Sequence, residues 1–269
     1  MTQVNFNPGR AAALDAPAPV LRESLPRPFH RASLLFLLPA VALIAGCGNP
    51  PTGLVSTQQE IQIGQQAAAQ FEAQTPTHDD PLVDKIGARI VAVQPRKNLP
   101  WRFRVAESNQ VNAFSLPGGF IYVYQGLLDA IHNDPDMLAA TLGHEVTHVV
   151  LRHGVKLMEQ QAGISTLIDL ALNKHDSAAT KTLLDLAGTV ITEGYSRQDE
   201  YQADHGGVIL MNEAGYNPEG MVNLLETLQR VAPNNGGGLT KYFDSHPGTP
   251  SRIERVKAQI ARGDVTGPV

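Results

Sequence analysis

Apolar residues recur at helical spacing along most of this chain, while one short stretch alternates between apolar and polar positions. The first pattern predicts amphipathic helices, and the second predicts a half-buried strand. The predicted elements are helices over Gln58–Ala73 and Pro81–Val93, a strand over Trp101–Ala106, a hairpin around Pro117-Gly118-Gly119, and helices from Gln125 onward with breaks at residues 234–238 and 246–250. This order of elements predicts an α+β fold that is mainly helical and has a small sheet.

The helix predicted after Asp134 and Pro135 carries an H-E-x-x-H motif, formed by His144, Glu145 and His148. Asp is a favoured helix N-cap, and Pro fits the first helical position. Residues four apart lie on one face of a helix, so both imidazoles can bind one zinc ion while the glutamate acts as general base. The alternative is that one histidine lies on the helix surface and the other is a hydrogen-bonded core residue.

A third ligand distinguishes the classes of zinc peptidase from one another. The metzincin pattern requires a glycine and a histidine where this chain has Leu151 and Gly154, so that class is excluded. His153 lies one position away from that register. We expect it to bind free carbonyl groups at the helix end or to pack locally, rather than to bind metal.

Glu200 and Asp204 lie four residues apart on a later predicted helix and therefore share a face. Two carboxylates at this spacing repel each other unless a cation lies nearby. We expect zinc to supply that charge, with Glu200 as the third ligand and Asp204 accepting the far N–H of a ligand imidazole. The alternative is that both carboxylates belong to a solvated helix face.

Three further segments accompany these motifs in order: Asn112–Val123, Ser196–Asp204, and Ser245-His246-Pro247 followed by Arg252-Ile253. Together with the H-E-x-x-H motif they resemble the gluzincin metallopeptidase family of the CAAX prenyl protease and HtpX, and within it the periplasmic lipoprotein proteases LoiP and BepA. The resemblance covers roughly residues 57–260. It implies a zincin-like metallopeptidase domain that binds one zinc ion per chain.

The resemblance also implies roles for residues other than the zinc ligands. His246 and Arg252 would donate hydrogen bonds to the oxyanion that forms at the scissile carbonyl. Asn112, Ala113 and Phe114 would offer an open strand edge, to which an extended polypeptide adds as a further strand. Edge pairing reads the backbone, so unfolded or misassembled proteins are the expected substrates.

His246 has a second predicted role, as a latch on the metal. The preceding Gly236-Gly237-Gly238 run lets its segment swing, and a neutral imidazole is a good zinc ligand. In a closed state this residue would fill the fourth zinc position. In an open state it would be released to serve the oxyanion.

The N-terminal region predicts export and lipid anchoring. A polar segment containing arginines precedes the apolar run Leu34–Ala45, which is too short for a permanent membrane span and suits a signal peptide. Cys47 follows small residues, as in a bacterial lipobox, so its thiol is the expected lipid attachment site. Residues 1–46 are therefore predicted to be a signal peptide, 47–56 a tether and 57–269 the peptidase domain. The residue after the cysteine is not aspartate, which by resemblance to sorted lipoproteins favours the outer membrane.

Composition narrows the possible functions. The formal net charge is −5, without the basic surplus of a nucleic-acid-binding protein, and a single cysteine leaves no disulfide.

Taken together, the motifs and the N-terminal region predict a lipid-anchored zinc endopeptidase of the bacterial periplasm that acts in envelope protein quality control. The alternative is a zinc-containing, chaperone-like factor for outer-membrane protein assembly, with little or no proteolysis. The expected partners are extended polypeptides, a membrane through the lipid and the envelope assembly machinery, and no nucleic acid.

Overall fold

The computed structural model describes residues 53–162, 181–182, 184–188, 194–231, 246 and 250–269, all within one compact unit. The principal helices in these ranges are α1 (Thr57–Gln74), α2 (Pro81–Val93), α3 (Gln125–Ala130), α4 (Pro135–Val150), α5 (His153–Gln161), α6 (Arg197–Glu213), α7 (Glu219–Val231) and α8 (Pro250–Ala261). The strands are β1 (Thr77–His78), β2 (Arg102–Ala106), β3 (Ala113–Leu116) and β4 (Phe120–Tyr124). The predicted α+β architecture, mainly helical with a small sheet, is confirmed.

Parts of the sequence-based prediction lie outside the described residues, namely the signal peptide, Cys47 and the Gly236–Gly238 run. Within the described ranges, no helix combines the length and the apolar character that crossing a bilayer requires.

The four strands form one mixed sheet in the order β1-β2-β4-β3. β3 and β4 are antiparallel, with Ala113 opposite Val123, as the predicted hairpin requires. Gly118 and Gly119 close this hairpin with φ angles of 81° and 100°, a region that glycine adopts without strain. β2 runs parallel to β4 and pairs with β1 on its other side. β3 is therefore an edge strand, and it lies against α4.

Side chains of the sheet alternate between two hydrophobic clusters. Val105, Ile121 and Val123 enter the larger cluster, to which α2, α4, α6, α7 and α8 contribute. Phe120 and Tyr122 enter the smaller cluster, together with residues of α1 and α5. The sheet is thus covered on both faces, and α4 lies inside the larger core.

α4 begins where the sequence predicts. Asp134 accepts hydrogen bonds from two backbone N–H groups of the first turn, each at 2.9 Å, and Pro135 is the first helical residue. The helix ends at Val150, and Arg152 takes a left-handed conformation with φ of 59°. This left-handed residue separates α5 from α4 and allows His153, the first residue of α5, to lie against His148.

α4 and α6 cross at a pair of glycines. A Cβ atom on Gly143 would lie 2.9 Å from the carbonyl oxygen of Gly207, and one on Gly207 would lie 3.0 Å from the backbone nitrogen of His144. Both distances are shorter than an ordinary van der Waals contact, so only glycine permits this approach. The two helix backbones therefore touch beside the first histidine of the motif.

Candidate metal centre

The two histidines of the motif point towards a common centre. His144 and His148 lie one turn apart on α4, and their Nε2 atoms are 3.1 Å apart. Only 2% and 1% of their surfaces are exposed. This geometry suits two ring nitrogens that share one metal ion.

Glu200 and His246 complete the group of donors. Ser196 caps α6, which sets Glu200 in the first turn of that helix, facing α4. Glu200 Oε1 lies 3.4 Å from His148 Nε2, and its Oε2 lies 3.5 Å from His144 Nε2. His246 Nδ1 lies 3.1 Å from Glu200 Oε1 and 3.3 Å from His144 Nε2. The donor atoms of these four residues all lie within 4.8 Å of one another.

These four donors fit a zinc ion. Ligand atoms at about 2.05 Å from zinc in a tetrahedron are ~3.3 Å apart, and neighbouring donors here are separated by 3.1 to 3.5 Å. Oε2 of Glu200 is paired with Arg252 Nη1 at 2.7 Å, whereas Oε1 faces His148 Nε2 at 3.4 Å and His246 Nδ1 at 3.1 Å. Imidazole and carboxylate are ligands that zinc takes.

Burial and charge favour metal binding. Burial lowers the pKa of His148 well below its ordinary value, so this imidazole is neutral and can bind a metal. Burial alone would raise the pKa of Glu200, but the charges on His246 and Arg252 outweigh it and keep the carboxylate ionised. Burial alone would lower the pKa of His246, yet the carboxylates of Glu200 and Glu145 raise it. In the metal-free protein these carboxylates therefore favour a proton on His246, and a divalent cation would replace that charge.

Asp204 lies behind His144. Its Oδ1 is 3.0 Å from His144 Nδ1, so it accepts the ring N–H and leaves Nε2 free to face the metal site. This is the carboxylate–histidine arrangement that orients metal ligands in other zinc sites.

Arg252, on α8, is placed differently from the expectation. Its Nε and Nη2 donate hydrogen bonds to Asp204 at 2.7 and 2.6 Å, while Nη1 contacts Glu200. Only 1% of the residue is exposed. The expected role as an oxyanion donor is corrected, because all three guanidinium nitrogens face carboxylates behind the donor group. Arg252 instead neutralises two buried acidic side chains.

The Glu145 carboxylate is fixed by a residue of the edge strand. The Ser115 hydroxyl donates to Glu145 Oε2 at 2.9 Å, and Glu145 Oε1 lies 3.5 Å from His246 Nε2. Tyr195 stacks on the His148 ring, with centroids 3.9 Å apart. Sequence reasoning singled out neither Ser115 nor Tyr195. Strand alternation could have found Ser115, whereas Tyr195 precedes α6 in a loop where no periodic pattern marks it.

β3 departs from the expected open substrate edge in two ways. Phe114 points away from the metal centre into an aromatic cluster, with ring centroids 4.9 Å from Phe71 and 5.1 Å from Tyr122. Asn112 and Ala113 are buried as well, and His246 Nε2 lies 3.3 Å from the carbonyl oxygen of Ala113. β3 is an edge strand, but its edge is covered in this conformation.

His153 approaches the centre from behind rather than facing the end of α4. Its Nδ1 lies 2.9 Å from His148 Nδ1, and its Nε2 lies 3.0 Å from Gln202 Oε1. Among the described residues it makes no hydrogen bond to a helix-end carbonyl, although the expected local packing is present. The left-handed turn at Arg152 causes this placement, and periodicity alone does not predict such a turn.

A buried group of three histidines and one glutamate, with a further carboxylate and an edge strand beside it, defines the site of a zinc-dependent metallopeptidase. Sequence similarity to known proteins supports this class. The model of peptidase family M48 matches residues 77–260, so the chain belongs to that family. The family resemblance drawn from the motifs is thereby confirmed.

Three relatives illustrate the range of the family. The chain is 30% identical to the mitochondrial metalloendopeptidase OMA1 of Schizosaccharomyces pombe, over 68% of this chain and 53% of that protein. It is 29% identical to the beta-barrel assembly-enhancing protease of Yersinia pestis, over 71% and 42%. It is 28% identical to the metalloprotease YcaL of Escherichia coli, over 86% and 97%. The chain thus spans about half the length of the first two relatives and nearly all of the third.

Proposed function

We propose that this protein is a zinc endopeptidase of the bacterial cell envelope that hydrolyses unfolded or misassembled envelope proteins. The observation that carries the proposal is the group of four buried donors, which lies beside a carboxylate and an edge strand. The name of one relative, the beta-barrel assembly-enhancing protease, supports an envelope role in quality control, and that of another, the metalloprotease YcaL, supports proteolysis.

In the proposed mechanism His144, His148 and Glu200 would hold zinc, which would supply the Lewis acidity that makes a water molecule nucleophilic and polarises the scissile carbonyl. Glu145 takes a proton from that water and returns it to the leaving amine. Because Ser115 donates to Oε2 of Glu145, Oε1 is the oxygen that accepts the proton.

The conformation described above is the closed state in this proposal. His246 Nδ1 supplies a fourth donor where the reacting water would bind, and its Nε2 faces the carbonyl oxygen of Ala113. The carbonyl of Asn112 accepts a hydrogen bond from Tyr124 of β4, so the backbone groups of the next residue, Ala113, face outward. One side chain therefore blocks both the water position and the strand edge. Once its segment swings away, His246 would donate to the oxyanion.

Lipid attachment at Cys47 would hold the enzyme on the outer membrane, facing the periplasm. The apolar run Leu34–Ala45 and the small residues before Cys47 support this location. An anchored enzyme would meet unfolded proteins at the envelope assembly machinery.

Metal analysis and peptide cleavage test the proposal. His144→Ala, His148→Ala and Glu200→Ala should each lose most bound zinc, because each removes a ligand. Glu145→Gln should retain stoichiometric zinc and lose cleavage of an unfolded protein such as casein, because it removes only the base. Stoichiometric zinc in Glu200→Ala would contradict the ligand set.

The filled fourth position favours one alternative, a chaperone-like assembly factor in which zinc is structural. Structural zinc sites carry four protein ligands and leave no position for water. Cleavage by the wild-type protein and not by Glu145→Gln supports the peptidase. The alternative is supported if the wild-type protein prevents aggregation of unfolded envelope proteins without cleaving them. Glu145→Gln should then prevent aggregation equally well.

A further inference from the structure

We infer that His153 is a positioning residue that fixes the ring and the tautomer of His148, as the middle member of a hydrogen-bonded chain running from α6 to the metal centre. The inference rests on the proposed role of His148 as a zinc ligand. It assigns to His153 a function distinct from metal ligation and from helix capping.

The acceptors at the outer end of this hydrogen-bonded chain, on α6, determine which nitrogen of His153 carries the proton. His153 Nε2 lies 3.0 Å from Gln202 Oε1 and 3.5 Å from Asp199 Oδ1. An ionised carboxylate can only accept hydrogen bonds, so Asp199 supports this assignment independently of the orientation of the Gln202 amide. Nε2 is therefore the protonated nitrogen of His153.

The position of the proton between His153 and His148, at the inner end of the hydrogen-bonded chain, follows from that assignment. A neutral imidazole with its proton on Nε2 presents a lone pair on Nδ1. His153 Nδ1 lies 2.9 Å from His148 Nδ1, so the N–H of this bond belongs to His148 and points at His153. The proton of His148 then sits on Nδ1, and its Nε2 keeps the lone pair that faces His144 and Glu200. Both nitrogens of His153 are occupied, which excludes it as a metal ligand.

The ring orientation of His148 is fixed by the same contact. The His148 and His153 rings meet edge to face, at 76° and with centroids 4.9 Å apart, and Tyr195 stacks on His148 at an interplanar angle of 18°. Rotation of the His148 ring would break the hydrogen bond and the stacking together. A ring held in this way loses little freedom when it binds zinc.

The turn at Arg152 is what allows His153 to reach His148. On a continuous α-helix, a residue five positions after His148 would lie about 140° around the axis and would face away from it. The left-handed conformation of Arg152 ends α4 and returns the chain, so that the first residue of α5 lies against the motif.

α6 consequently orients both histidines of the motif by different means. Asp204 holds His144 directly through a carboxylate, whereas Gln202 and Asp199 hold His148 through the intervening imidazole. A neutral imidazole accepts the N–H without adding a further negative charge to a site that already contains buried carboxylates.

Two variants of the full chain separate a positioning role from simple packing. In His153→Leu the volume is nearly retained and the acceptor is lost, whereas in His153→Asn the side-chain oxygen can take the place of Nδ1. We expect His153→Leu to bind zinc about 10- to 100-fold more weakly than the wild type, and His153→Asn to recover most of that loss. Competition with a chromogenic zinc chelator measures both affinities. Equal affinities of His153→Leu and the wild type would overturn the inference.

The tautomer of His148 can be measured directly in the metal-free wild-type protein by long-range correlation of ring protons with ¹⁵N nuclei. The expected result is a proton on Nδ1 of His148 and on Nε2 of His153. A proton on Nε2 of His148 in that protein would refute the chain. Because this measurement needs neither zinc nor a variant, it decides the inference even when a variant does not fold. A wild-type protein that binds no zinc would contradict the proposed function and not this hydrogen-bonded chain.

Discussion

Arg252 gives the most direct test of how the centre is stabilised. Its guanidinium nitrogens lie 2.6 to 2.7 Å from carboxylate oxygens of Glu200 and Asp204, and all three side chains are buried. In Arg252→Met, both carboxylates stay buried without the guanidinium group. Breaking one side of a buried ion pair costs about 3–5 kcal/mol, because the remaining charge is uncompensated. We expect the free energy of unfolding of the metal-free variant to fall by about this amount.

Urea unfolding followed by circular dichroism, with a chelator present, measures this loss. Arg255→Met is the matched control, since Arg255 lies on the same helix but at the surface, stacked over Tyr201 at 4.2 Å. Such an exposed cation–π contact contributes only about 0.5–1 kcal/mol. Zinc should restore part of the stability of Arg252→Met, because it would neutralise Glu200, one of the two carboxylates. A loss in Arg252→Met no greater than that in Arg255→Met would refute this account of the buried charges.

The same variant should change the response to acid. Burial alone would raise the pKa of Asp204, but the charge of Arg252 and the bonds from Arg252 and His144 hold it below its ordinary value. A carboxylate with a depressed pKa in the folded state stabilises the protein above its unfolded pKa, and the stabilisation is lost as the pH falls through the folded value. Without Arg252 that folded value rises. Metal-free Arg252→Met should therefore begin to lose stability at a higher pH than the wild type, as acid titrations of both proteins would record.

Three further predictions concern catalysis, the latch and the anchor. Ser115→Ala should lower kcat by roughly 10- to 100-fold at unchanged zinc content, because Glu145 loses the donor that orients it; an unchanged kcat would remove Ser115 from the mechanism. His246→Ala should bind small chelating inhibitors more tightly while cleaving peptides no faster, and equal inhibition constants would contradict the latch. Cys47→Ser should yield protein without lipid, and mass spectrometry that finds an unmodified wild-type N-terminus starting elsewhere would exclude the anchor.

Local signals explain why much of the fold was predictable. The start of α4 at Asp134 and Pro135 depends on capping chemistry within one turn, and the sequence carries it completely. The hairpin at Gly118 depends on glycine at positive φ. We predicted that Glu200 lies near the motif from electrostatics and not from periodicity, because two carboxylates on one helix face repel each other unless a cation lies nearby.

The features that escaped prediction depend on long-range packing. Whether Arg252 faces an oxyanion or two carboxylates is decided by where α8 docks, which is a tertiary property. The covering of Ala113 by His246 joins residues 133 positions apart in the chain. The contact of His153 with His148, rather than with the carbonyls at the end of α4, was not foreseen because a non-glycine residue, Arg152, adopts a left-handed conformation that its residue type does not favour.

The contact between Gly143 and Gly207 separates thermal stability from the geometry of the metal centre, two properties that core substitutions usually alter together. Elsewhere the spacing of helices depends on side chains, which can be enlarged or trimmed. At this crossing the contact between the two helices is made by backbone atoms, and the side chain nearest to Gly207 is Met221 of α7, which belongs to neither helix. Substitutions elsewhere in the core can therefore change thermal stability while the distance between Glu200 and His144 stays the same. The two glycines are, by the same reasoning, the positions at which metal affinity itself is open to adjustment.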